Sequence, residues 1–217
     1  MDIVINKDSY YIPTKWAEVS LGKYMDFMAN YEEEATETQK EIVLLSAFTG
    51  VPLEKLEQIK KQSLDKAVAE ISKLFETPAN KDLNLIVEID GVEYGLHPNL
   101  SELKLKEFVD LDMKLEGGWE AMDEVMAILY RPVTDKKKGK YKIEDYDYRT
   151  ASKRALLFKD NLSIDTVNGA AAFFLTIGID YIQITQAYSK TMKNRAARRK
   201  ASKQMKNSLM KNMVGTV

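Results

Sequence analysis

The chain of 217 residues is 45% hydrophobic and 30% charged, which suits one sizeable core or two small ones and excludes collagenous, mucin-like and wholly disordered classes. It has one histidine and no cysteine, so disulfides, thiolate metal sites and cysteine nucleophiles are excluded and a reducing compartment is the natural inference. Its 32 basic and 33 acidic side chains give a formal net charge of −1, an average that argues against a polyanion-binding protein.

Ile3, Val4 and Ile5, the polar run Asn6-Lys7-Asp8-Ser9, and Tyr10, Tyr11 and Ile12 predict a short hairpin, because β-branched and aromatic residues flank a turn. Trp16, Val19, Leu21, Tyr24, Phe27 and Met28 recur at three- and four-residue spacing, which predicts a helical turn and a helix ending near Tyr31. Glu32-Glu33-Glu34 reads as a solvated connection. A further helix is expected from Thr36 to Thr49, stopped by Gly50 and Pro52. Helices over Leu53–Lys61 and Leu64–Phe75 follow, the second capped by Ser63.

Leu83 to Leu96 carries the clearest strand signal, two β-rich runs joined by Asp90-Gly91, a pair suited to the positive φ angles of a tight turn. An isolated hairpin is barely stable in water, so the two hairpins are expected to pair or pack into one small antiparallel sheet. Ser101 is the expected cap of a helix with Leu103, Leu105, Phe108, Val109 and Leu111, broken by Gly117-Gly118. The next helix spans Trp119–Tyr130 and Pro132 ends it. The charged stretch 134–148 reads as a long exposed loop, Arg149–Lys159 as a helix, and Ser163 as the cap of a long C-terminal helix.

The expected fold class is mainly α within α+β, with one small sheet. Three regions are expected: 1–100, 101–189 containing the exposed loop, and a basic tail over 190–217.

The first sixteen residues lack a signal-peptide pattern, and the longest apolar stretch, Gly169–Ile179, is about eleven residues, too short to span a membrane. A soluble product with no membrane contact is expected. No catalytic constellation is visible. The acidic pairs Asp110/Asp112 and Glu33/Glu34 suit solvated surface. Asp145-Tyr146-Asp147-Tyr148 has oxygen ligands but lacks the ligand count and turn glycine of a calcium loop. His97 has no predictable carboxylate or metal partner and reads as structural. Neither Gly117-Gly118-Trp119 nor the run 135–140 has the spacing of a phosphate-binding loop. No enzyme activity, metal or cofactor is expected.

Two features suit partner binding. Small residues at Ala170-Ala171-Ala172 permit close helix approach, while Phe173, Phe174, Ile177, Tyr181 and Ile184 supply large apolar contacts, either for the core or for oligomerisation or a partner helix. The second is a charge asymmetry: residues 1–180 hold all 33 acidic and 23 of the basic side chains, a net of −10, and the last 37 residues carry the other nine, Lys190, Lys193, Arg195, Arg198, Arg199, Lys200, Lys203, Lys206 and Lys211. An acidic body with a basic arm has three readings: nonspecific nucleic-acid binding through phosphates, docking on an acidic protein surface including a neighbouring copy, or a solubilising tail. The absence of aromatic residues after Tyr188 disfavours base stacking.

The segments IPTKWAEVSLGKYMDFM, EIVLLSAFTGVPLEKLEQIK and IVEIDGVEYGL resemble small proteins encoded among the structural genes of tailed bacteriophages and similar to tail assembly chaperones. The resemblance covers about residues 1–130, with a weaker echo in Gly169–Leu175, and its motifs are structural rather than catalytic. It implies a non-enzymatic morphogenesis factor of the host cytoplasm that keeps the helical tape-measure protein soluble until tail-tube protein polymerises around it, often as an oligomer. Ten methionines are compatible with adaptable partner surfaces. The alternative is a minor virion protein, associated with capsid, portal or head–tail connector, whose basic arm contacts acidic protein or DNA.

Overall fold

The computed structural model describes residues 2–5, 8–78, 80 and 82–174. The described elements form a mixed α+β protein. Strands β1 (Asp2–Ile5) and β2 (Asp8–Tyr11) make the N-terminal hairpin in antiparallel register. After a 3-10 turn at Trp16–Glu18 come helices α1 (Leu21–Asn30), α2 (Glu37–Thr49), α3 (Leu53–Leu56) and α4 (Lys61–Glu76). Ser20 caps α1 by accepting from the Lys23 amide at 3.4 Å. Thr36 and Gln39 cap α2 reciprocally, and Gly50 closes it at φ 78°, a left-handed angle that costs glycine little. Two expectations fail here. The second long helix begins at Lys61, so Ser63 sits in its first turn rather than at its cap, and the stretch after Pro52 supports only one turn of helix.

Strands β3 (Ile86–Ile89) and β4 (Val92–Leu96) meet at Asp90-Gly91, with φ angles of 52° and 76° as the turn requires. Helix α5 (Leu105–Glu116) follows a 3-10 turn at Leu100–Glu102. Lys104, not Ser101, stands at its N-cap. Helix α6 (Met122–Leu129) leads into strand β5 (Tyr130–Lys137), and β6 (Lys140–Ile143) returns antiparallel to it. Helix α7 (Tyr148–Asn161) is capped by Asp147, whose carboxylate accepts from Arg149 and Thr150 amides at 2.8 and 3.1 Å. The helix expected after Ser163 is described over 164–174 (α8), and Ser163 accepts from the Thr166 amide at its start. The rest of that expected helix lies outside the described residues.

The single-sheet expectation is corrected. There are two sheets: β1-β2 alone, and a four-stranded antiparallel sheet in the order β3-β4-β5-β6. The N-terminal hairpin docks on α3 instead, where the Lys55 ammonium pairs with Asp8 and donates to Tyr10 Oη at 2.9 Å. The second hairpin completes its sheet with β5 and β6, drawn from the stretch expected as an exposed loop. Lys138-Gly139 turns that hairpin with φ angles of 52° and 75°. β5 begins buried at Tyr130 and Arg131 and runs out to an exposed, charged end, while Val133, Tyr141 and Ile143 are half-buried. Tyr141 donates to the Leu96 carbonyl at 2.7 Å, and its ring crosses β4 at Gly95, where a Cβ would lie 2.5 Å from it.

The buried core runs from Ile5 to Ala170, so stretches 1–100 and 101–174 feed the same cluster. At one end Trp16, Tyr24, Phe27, Phe48 and Phe75 pack edge to face, Trp16 and Phe75 with centroids 5.1 Å apart. Such pairs add about 0.5–1.5 kcal/mol each beyond burial. Four of these five aromatics, Trp16, Tyr24, Phe27 and Phe48, lie within residues 12–28 and 41–60. α8 closes the other side, its Gly169 against the Asp82 carbonyl so tightly that no side chain fits. No helix among the described residues is long and apolar enough to cross a membrane.

Candidate protein-contact surface

Helix α5 is oriented opposite to a simple amphipathic helix. The side turned to the body carries Glu107, Asp110, Leu111 and Lys114, three of them charged. Glu107 Oε1 accepts from Arg131 at 2.9 Å, and both side chains are 3% exposed. Its other oxygen accepts from the Lys104 amide at 3.0 Å, which caps the helix and fixes its start. Asp110 accepts from Tyr146 Oη at 2.7 Å, a bond that, after burial, holds the Tyr146 phenol above its ordinary pKa. Lys114 pairs with Glu124 of α6.

His97 joins this polar seam. Its Nδ1 accepts from the Asn99 amide at 3.3 Å and its Nε2 lies 3.8 Å from Glu107, beyond hydrogen-bond reach. Burial first, then the nearby Arg131 guanidinium, depress its pKa. The imidazole is therefore neutral at pH 7. The Arg131 Nε is buried without a hydrogen-bond partner; its ring-facing contact is Tyr146, 6.0 Å from the guanidinium carbon to the centroid.

With polar groups anchored inward, the apolar residues of α5 face water. Leu105, Phe108, Val109 and Met113 follow the helical spacing i, i+3, i+4, i+8 and form one stripe, with Leu105 79% and Met113 64% exposed. Leu115 is exposed beside it. Asp112 and Glu116 lie within the same stripe and form no ion pair among the described residues. Met113 also edges a cleft of about 220 Å³ between α5, α6 and α7, whose lining includes Ile128, Tyr146, Tyr148 and Ala151.

The expected partner-binding residues fall elsewhere. Phe173 and Phe174 are half-buried on α8, pack on the core and meet edge to face at 5.8 Å. Ile177, Tyr181 and Ile184, and all the arm residues from Lys190 to Lys211, lie outside the described residues. Of the apolar residues expected on the helix after Ser101, Leu105, Phe108 and Val109 form the exposed stripe, while Leu111 is buried and Leu103 half-buried. A signal was present in the sequence: α5 has more apolar positions than one face can hold, and Glu107 and Asp110 occupy the remaining one.

The tetrapeptide Asp145–Tyr148 does not gather into a cation site. Asp145 pairs with Lys104 at 2.8 Å, which keeps its carboxyl below the usual range. Tyr146 is bound to Asp110, and Asp147 caps α7. Among the described residues no group of three or more His, Asp or Glu is placed to hold a metal ion. No protein family, curated protein or solved structure matches the chain.

Proposed function

We propose that this protein is a non-enzymatic morphogenesis factor of the tail-assembly-chaperone type, which holds helical segments of a tape-measure protein through the outward stripe of α5. The supporting observation is that stripe: four large apolar residues at helical spacing, presented by a helix whose other side is locked down by buried polar contacts. A solvated helix gains nothing from such a face. A partner helix laid along it buries apolar area at about 25 cal/mol per Å². The resemblance of residues 1–130 to phage tail proteins supplies the class of partner.

Co-expression with a phage tape-measure protein tests the reading. The wild-type chain keeps that protein soluble and co-purifies with it, whereas Leu105→Ser/Val109→Ser/Met113→Ser loses both effects while unfolding at the same denaturant midpoint. Neither rescue nor complex with the wild-type chain would sink the proposal. The arm, with nine basic and no acidic side chains in the last 37 residues, supports a second reading, a minor virion component contacting acidic protein or DNA. A mass-spectrometric inventory of purified particles separates the two, since a chaperone is left out of the virion and a structural component is present at fixed copy number.

A further inference from the structure

The outward face of α5 combines exposed apolar side chains with two carboxylates, Asp112 and Glu116, that form no ion pair among the described residues. The chain contains a segment of the complementary character. Residues 201–213 read ASKQMKNSLMKNM, with Ala201, Met205, Leu209 and Met213 at four-residue intervals, Lys203, Lys206 and Lys211 between them, and no acidic residue. Arg195, Arg198, Arg199 and Lys200 lie just upstream. Four-residue spacing is the ridge geometry by which one helix packs against another.

The tether is long enough for both to belong to one molecule. Between Phe174, the last described residue, and Ala201 lie 26 residues. They span about 39 Å as a helix and about 86 Å if extended. A body of this size has a radius of gyration of about 16 Å, so the segment reaches α5 of its own chain by either route. Tethering at millimolar effective concentration then favours it over the same segment of a neighbouring copy.

We propose that residues 201–213 dock on the outward face of α5 in the same molecule. Met205, Leu209 and Met213 lie against Leu105, Val109 and Met113, and the flanking lysines and arginines face Asp112 and Glu116. The contact takes its face from the function proposed above, but needs no partner for its test. Charges that meet at the surface are screened by salt, so the contact weakens as ionic strength rises.

Since the chain has no cysteine, Glu120→Cys places a single nitroxide just beyond the end of α5 in the full-length protein. In a spin-labelled, 15N-labelled sample, amide signals of residues 201–213 are expected to broaden and to sharpen again when the nitroxide is reduced. In a mixture of 15N-labelled chain without the tag and unlabelled chain carrying it, they stay sharp. Leu105→Ser/Met113→Ser and, separately, Asp112→Lys/Glu116→Lys abolish the broadening, while dispersion of the core amide signals reports that each variant is folded. Sharp arm signals in the doubly labelled chain overturn the proposal. So does equal broadening in the mixture, which would make a second copy the occupant, or broadening indifferent to both variants. Because no tape-measure protein is present, failure here leaves the co-expression result to be judged on its own.

Discussion

Glu107 and Arg131 form a buried ion pair, and the sign of its contribution depends on what replaces it. Desolvation of two charges offsets much of their attraction, so the pair adds little against a well-packed apolar substitute, but removing one partner strands the other. Glu107→Ala is expected to cost about 3–5 kcal/mol, read from the urea midpoint, and Glu107→Leu with Arg131→Met to recover most of that loss. His97, beside this pair, gives a pH dependence. Its folded pKa lies below the ordinary 6.5 because burial and Arg131 oppose the charged form. The unfolded chain therefore binds the proton more readily, and this stability is complete above about pH 6.5 and falls as pH drops through the folded value. As the chain's one histidine, it can be isolated: between pH 7 and 5, His97→Gln should lose less stability than the wild type. An equal loss in both would assign the effect to other groups. The sequence shows His97, Glu107 and Arg131 but not their meeting, because β4, α5 and β5 bring them together from distant positions.

At the scale of elements, local chemistry and tertiary packing divide the outcome. The Asp90-Gly91 turn, the helix beginning at Thr36 and the Gly50 stop follow from backbone preference and local spacing and are legible in the sequence. The β5–β6 hairpin was not, since its lysines and aspartate match a solvated loop, and the strand is stabilised by pairing with β4 and by Tyr141 reaching back over Gly95. Gly95→Ala forces a methyl group into that ring and is expected to cost about 1–3 kcal/mol, measured by thermal or denaturant unfolding. An unchanged midpoint would show that Tyr141 moves aside freely. Helix α5 shows the same division: its existence follows from composition, whereas which side turns inward is decided by Arg131, Tyr146 and Glu124 on neighbouring elements.

Among the described residues the core uses positions from Ile5 to Ala170, and the acid-free arm follows them in the sequence. Deleting residues 190–217 is therefore expected to leave a cooperative unfolding transition, its midpoint lowered only by the lost contact of the arm with α5. Loss of cooperativity would place the arm within the core. The same deletion is expected to increase binding of an apolar dye to the body, because it uncovers the α5 stripe. The formal net charge of −1 conceals this organisation, an acidic body of −10 and an arm of +9, which allows two parts of one chain to attract each other.

The sequence by itself determined most helical periods, the Asp90-Gly91 turn, the stop at Gly50, the first two hairpins and the separation of charge, because each depends on residues close together along the chain. Only the tertiary structure decided that there are two sheets rather than one, that the charged stretch after Pro132 is a hairpin, and that α5 turns its charges inward. Those outcomes depend on which distant groups can satisfy a buried carboxylate or an open strand edge, and linear spacing carries no record of them.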